Sequence, residues 1–248
     1  MDVSLYQAAA AMNATAQWQE MVAENLTAAP ISGGRKREIS FADVQAGMDS
    51  SLPGTSQASY FIPTARIATD FQQGELHASS NPMDFALEGP GFFTIQMPNG
   101  QKAYTRGGEF ELNSQGQLVT TRGNPVLGGG EPLQFNPNST APVTISPSGD
   151  VSQGQEHVGK LDLVEFDHPE FLTTLGAESF RSDNPLAKPT EAASTKVRQG
   201  FLEGANSSAT TEMAGMVTAM RMFEANQKVM QMQSDRMNRT ITELGGTS

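Results

Sequence analysis

Apolar residues recur along this chain with two different periods. Near both ends they step by three and four, the helical period; in the middle they alternate, the period of strands. Leu5, Ala9, Met12, Ala16, Gln19, Ala23 and Leu26 form the first seam, in a stretch free of Gly and Pro. Ser4 and Gln7 have the spacing of a capping box at its start, and Pro30 with Gly33 and Gly34 ends it. The second seam is longer: Met213, Met216, Met220, Phe223, Gln227, Met230, Ser234, Met237, Ile241 and Leu244, closed by Gly245 and Gly246. A helix over 211–244 is about 50 Å long. It cannot bury its stripe alone, so it needs a partner.

The middle predicts β structure. Phe92–Gln96 reads as a strand, and Pro98, Asn99 and Gly100 as a hairpin turn. Phe110–Leu112, Leu118–Thr121, Val143–Ile145 and Leu161–Phe166 alternate as well, punctuated by Gly, Pro and Asn. The fold class is therefore α+β: an all-β central domain inserted between N- and C-terminal α-helices that pair as a coiled-coil-like stem. The expected division is an N-terminal helix (1–29), an extended linker (30–70), a β-rich domain (71–184) able to fold alone, a second linker (185–207) and a C-terminal heptad helix (208–248). Both linkers are polar and expected to be loosely ordered; the first carries a basic cluster, Arg35, Lys36 and Arg37.

Charge and composition narrow the function. A net charge of −11 opposes binding to nucleic acid or to an anionic membrane surface. The absence of cysteine removes disulfides, thiolate catalysis and Cys-rich zinc sites together. No stretch is apolar for long enough to span a bilayer, and the first twenty residues lack the basic start and apolar core of a secretory signal peptide. Neither direct membrane insertion nor that export route is expected.

Candidate chemistry is sparse. Gly154–Lys160 has the spacing G-x-x-x-x-G-K of a phosphate loop. Leu161 stands where the metal-binding hydroxyl belongs, and the residues after it alternate like a strand, so a turn entering a strand is the better account. His77, His157 and His168 are scattered, and Asp167, Glu170 and Asp183 suit a solvated acidic surface better than a catalytic pair. Sequons beginning at Asn13, Asn25, Asn138, Asn206 and Asn238 match by chance composition. No catalytic residue, metal or cofactor is expected. Seven of the thirteen methionines lie between Met213 and Met237; such a stripe serves as core, as an adaptable interface, or as both.

Several segments together resemble the flagellar rod and hook family of axial proteins. They are Thr69–Leu76 (TDFQQGEL), Asn81–Phe93 (NPMDFALEGPGFF), Tyr104–Phe110 (YTRGGEF), Gly116–Val119, Gly123–Gly128 and Val197–Asn206 (VRQGFLEGAN). The family's Asn-rich stretch after the first helix is only partly kept in Ala23–Pro30, and the opening MDVSLY and the length are more similar to proximal-rod than to distal-rod members. The resemblance implies a structural, non-enzymatic subunit of the basal-body rod. Such subunits leave the cell unfolded through the flagellar type III export apparatus and polymerise helically through their terminal helices into the shaft that crosses the periplasm. Partners are then further copies and other rod and hook proteins, with no nucleic acid. The expected assembly interface is Leu5, Met12, Leu26, Met213, Met216, Met220, Phe223, Met230, Met237, Ile241 and Leu244. Two other classes share parts of the plan: a secreted β-domain binding module, and a phage-tail or other tubular secretion component.

Overall fold

The computed structural model describes residues 3–46, 60–137, 139 and 141–245. It divides into two compact units.

The first unit comprises residues 1–24, 37–68 and 210–248. It holds most of helix α1 (Val3–Ala28), the paired strands β1 (Arg37–Ala46) and β2 (Tyr60–Thr69), and helix α2 (Ala209–Gly245). Helix α1 is already under way at Ser4, so the Ser4–Gln7 capping box is not its N-terminus. Within α1 the covered face is Ala8, Ala14, Thr15, Met21 and Val22, not the anticipated seam. Ala9, Ala16 and Ala23 are exposed, while Met12 and Leu26 are half-buried. The physical reason is bulk: three of the seven seam positions, Ala9, Ala16 and Ala23, are alanine, so the seam offers little to bury and packing selects the face that carries Met21 and Val22. Buried Thr15 satisfies its hydroxyl by donating to the Ala11 and Met12 carbonyls, each at 2.9 Å.

The second unit comprises residues 25–36 and 69–209. Its strands are β3 (Leu76–Ala78), β4 (Phe85–Glu88), β5 (Phe92–Gln96), β6 (Lys102–Thr105), β7 (Phe110–Leu112), β8 (Leu118–Thr120), β9 (Leu127–Gly128), β10 (Glu131–Pro132), β11 (Val143–Ile145), β12 (Asp150–Gln153), β13 (Glu156–Lys160), β14 (Leu163–Phe166), β15 (Thr173–Thr174), β16 (Ser179–Arg181), β17 (Pro189–Glu191), β18 (Lys196–Gln199) and β19 (Phe201–Glu203). Six of them form an antiparallel sheet in the order β15-β16-β6-β5-β14-β17. A core packs on each face. Phe93, Ile95, Ala103 and Leu163 point into one core with Phe85, Leu87, Phe110, Leu118 and Val151. Phe92, Tyr104, Phe166 and Phe180 point into the other. That two-sided burial explains why Phe92–Ile95 is nearly continuously apolar instead of cleanly alternating. The β5–β6 hairpin turns at Gly100, which sits at φ +80° in a type of turn that favours glycine.

Both presumed linkers contain ordered strands. Residues 30–70 contribute β1 and β2, and residues 185–207 contribute β17, β18 and β19. Strand β18 pairs with β4, β19 with β3 and β17 with β14, and Val197 enters the main core. Strand β17 is wholly exposed, and β18 and β19 bury only Val197 and Glu203, so no apolar alternation marks these strands in the sequence. The β unit therefore extends past 184, and a 71–184 fragment lacks three strands and two core residues, Ala187 and Val197. Gly154 lies at the turn between β12 and β13, which form an antiparallel hairpin; the phosphate-loop spacing is a hairpin turn, as the alternating residues after it indicate.

Candidate functional site

Helix α2 presents an apolar surface the subunit does not cover. Glu212 and Ala219 are buried, and Met216, Phe223 and Met230 half-buried, which marks the inward stripe. Met213, Met220 and Met237, expected on the same seam, are instead 55%, 50% and 37% exposed. Val217, Met222, Val229 and Met232 are exposed as well. The side chains of Leu5, Ile241 and Leu244 lie outside the described residues. On an ideal helix at about 100° per residue, Met213, Val217 and Met220 flank one side of the inward stripe, and Met222, Val229 and Met232 the other. At Gly215 a Cβ would lie 3.7 Å and 3.8 Å from the two Val22 methyl groups of α1, so the two helices approach there with ordinary van der Waals spacing.

In the β unit the sequence motifs converge on one buried carboxylate. Glu203, from the VRQGFLEGAN segment, is wholly buried. Its Oε1 accepts from Arg35 Nη2 at 2.6 Å and from the Gly74 amide at 2.9 Å; its Oε2 accepts from Arg106 Nη1 at 3.1 Å. Arg106, of the YTRGGEF segment, also donates to the Gly89 carbonyl at 2.5 Å and lies over the Phe92 ring at 5.1 Å. Burial pulls the Arg106 pKa down to about 10, with Glu203 opposing the drop, so the group stays charged at neutral pH. The glycines of these motifs permit close approach. A Cβ on Gly74 would fall 2.0 Å from the Gly204 carbonyl oxygen, and one on Gly108 would fall 1.6 Å from that of Phe85. Each motif is thus a packing constraint rather than a reactive group. Neither Arg35 nor Glu203 was picked out as a site from the sequence; the available signal was a glutamate and an arginine inside glycine-rich motifs surrounded by apolar residues.

The histidines and acidic residues considered from the sequence lie on the surface. His77, His157 and His168 are exposed; His168 contacts Glu170 at 3.0 Å, and Asp183 pairs with Arg181 at 2.7 Å. Among the described residues no three His, Cys, Asp or Glu side chains group as a metal site, and no helix is long and apolar enough to cross a membrane.

Sequence comparison decides the family. Residues 86–153 match the family model of the flagellar hook protein FlgE/F/G D1 domain, and residues 198–243 that of the flagellar basal body rod FlgEFG protein C-terminal region. The flagellar basal-body rod protein FlgF of Caulobacter vibrioides is 30% identical over 99% of both chains. The rod protein FlgG of Borreliella burgdorferi is 31% identical, covering 94% of this chain and 95% of its own. That of Buchnera aphidicola subsp. Schizaphis graminum is also 31% identical, over 90% and 92%. The chain belongs to the flagellar basal-body rod protein family. As a rod protein it is a structural subunit of the flagellar basal body, not an enzyme, and it assembles with other rod and hook proteins. The two matched regions fall on different parts of the molecule: the first on β4–β12, the second on β18, β19 and nearly all of α2.

Proposed function

We propose that this rod subunit polymerises helically through α1 and α2, with the exposed methionine and valine surface of α2 as the main contact. The observation that carries this is the size of that surface. A soluble chain rarely leaves seven large apolar side chains of one helix open to water unless a partner covers them. The close approach of Val22 and Gly215 supports pairing of α1 and α2 within the subunit as a coiled-coil-like stem. Leu5, Met12, Leu26, Met216, Phe223, Met230, Ile241 and Leu244 belong to the same proposed assembly surface. Export through the flagellar type III apparatus brings the subunit to the part of the rod that crosses the periplasm. The opening MDVSLY and the chain length support a proximal position in the rod.

Met220→Asp tests the surface. Met220 is half exposed, so the charge costs the isolated subunit little, whereas covering it in an assembled rod strands a carboxylate away from water. The purified variant keeps its circular dichroism spectrum and melting temperature, and cells that carry it in place of the native gene are non-motile. Normal motility would show that this face is not the assembly contact.

A further inference from the structure

The second face of the six-stranded sheet is not filled along its whole length. Thr94 and Tyr104 lie directly opposite each other on β5 and β6, so their side chains share that face. Next to them opens a recess of about 770 Å³, lined also by Lys102, Lys160 and Lys196. Two observations mark it as a receiver of negative charge. The first is its electrostatics, against the grain of a chain with net charge −11. The two carboxylates at its wall are already engaged: Asp162 accepts from the Gly129 and Gly130 amides, both at 2.8 Å, and Glu191 faces Lys160 at 3.4 Å. Lys102 and Lys196 are exposed and form no ion pair among the described residues. The second is Thr94, only 2% exposed, whose hydroxyl has no hydrogen-bond partner. A buried hydroxyl left unpaired is unfavourable, and a carboxylate entering the recess would accept from it.

Size and chemistry select the occupant. The volume suits several side chains rather than one small ion. The Gly129–Gly130 amides, the natural cradle for a phosphate, are occupied by Asp162. The same unit exposes a matching knob. Asp167 and Glu170 are exposed on the turn that follows β14, Phe171 is 39% exposed beside them, and Pro169–Phe171 holds them in a 3₁₀ turn. None of these residues lines the recess of its own chain. We propose that the recess receives the acidic, aromatic turn Asp167–Phe171 of a second copy of the chain. Knob and recess are different patches, so the contact is head-to-tail and propagates without closing, as a row of subunits requires. This inference rests on the rod assignment for its biological setting but adds a contact between β units to the one between helices.

The test is titration of the ¹⁵N-labelled full-length chain with a synthetic peptide of residues 165–172, followed by NMR. The amides of Thr94, Lys102 and Lys196 shift saturably. The variant Lys102→Glu/Lys196→Glu, altered only at exposed positions, binds at least about tenfold more weakly. A peptide with Asp167→Lys and Glu170→Lys recovers binding to that variant and loses it to the native chain. Absence of saturable shifts, shifts mapped elsewhere, or equal binding of a peptide with Asp167→Asn and Glu170→Gln each overturns the proposal. So does acetate or inorganic phosphate moving the same amides as strongly as the peptide, which would mean a small-anion site only. None of these results touches the Met220→Asp test, so the recess can fail while the helix assignment stands.

Discussion

Glu203 answers two guanidinium groups with one carboxylate, wholly removed from water, and the arrangement leaves an excess positive charge buried. Arg35 Nε and Nη1 and Arg106 Nε have no acceptor, so the cluster is electrostatically tight but not fully satisfied. Such a cluster contributes little net stability compared with apolar residues of the same volume, yet breaking it is expensive because the remaining charges stay buried. Glu203→Gln is therefore expected to destabilise the protein by about 3–5 kcal/mol, read from urea unfolding; a loss below about 1 kcal/mol would mean that water reaches the two arginines. Glu165 offers a pH-dependent counterpart. Its carboxylate accepts from Thr195 Oγ1 at 2.7 Å, Ser194 Oγ at 2.9 Å and the Ser194 amide at 3.0 Å, pinning the turn that leads into β18. Burial alone would raise its pKa, but these bonds outweigh burial and hold it below the usual 4.5. A carboxylate whose pKa is depressed by folding contributes fully above its unfolded value and loses that contribution as pH falls through the lower folded value. The difference in melting temperature between the native chain and Glu165→Gln should accordingly shrink as pH falls below the usual 4.5. An unchanged difference would mean the hydrogen bonds do not depend on ionisation.

At the scale of elements, the two helices carry different kinds of information. Helix α2 alternates bulky methionines with polar residues, so its apolar surface is wide, and packing inside the subunit uses only the strip through Met216, Ala219 and Phe223. Helix α1 carries eight alanines among its 26 residues, so parts of its surface are small and permit close approach. Gly215 is the position where α2 meets Val22 most closely, and the chain's lack of cysteine makes an engineered pair unambiguous. Val22→Cys combined with Gly215→Cys should form a disulfide within one chain under mild oxidation, visible as a faster band on non-reducing gels at monomer mass. Crosslinks appearing only as dimers would place this helix contact between subunits. In the β unit, β17, β18 and β19 complete sheets begun more than a hundred residues earlier for β3 and β4. Their pairing closes the unit by bringing the segment before α2 against the segment after β2, where Asn206 Nδ2 donates to the Asp70 and Gln72 carbonyls.

For the whole molecule, the division of labour follows from where the charges and apolar groups are left. The β unit buries most of its aromatic residues on two faces of one sheet and holds Arg106 and Glu203 of its motifs inside, which suits a rigid structural body. The helices leave apolar surface open and so depend on neighbours. Relatives align from end to end, and the two matched family regions include both the sheet and α2. Met220→Asp and Glu203→Gln should separate the two roles: the first leaves unfolding unchanged and removes assembly, while the second lowers stability through the β unit.

Local patterning determined the helical ends, the β5–β6 and β7–β8 hairpins and the family, because period and turn chemistry are properties of neighbouring residues. Phe92–Gln96 and the turn at Gly100 are legible for that reason, and so is α2, whose heptad runs for most of its length. Tertiary structure alone decided what depends on distant partners. The basic run at 35–37 looks like a solvated cluster, yet Arg35 is buried because Glu203, far along the chain, supplies its counter-charge. Residues 189–203 look like a linker, yet they are strands because β14, β4 and β3 offer them open edges. The covered face of α1 is weakly marked by hydrophobicity because its alanines fall on both candidate faces, so the neighbours it packs against make the choice. The lysine-lined recess has no counterpart in any pattern, since its walls come from segments brought together only when the sheet is complete.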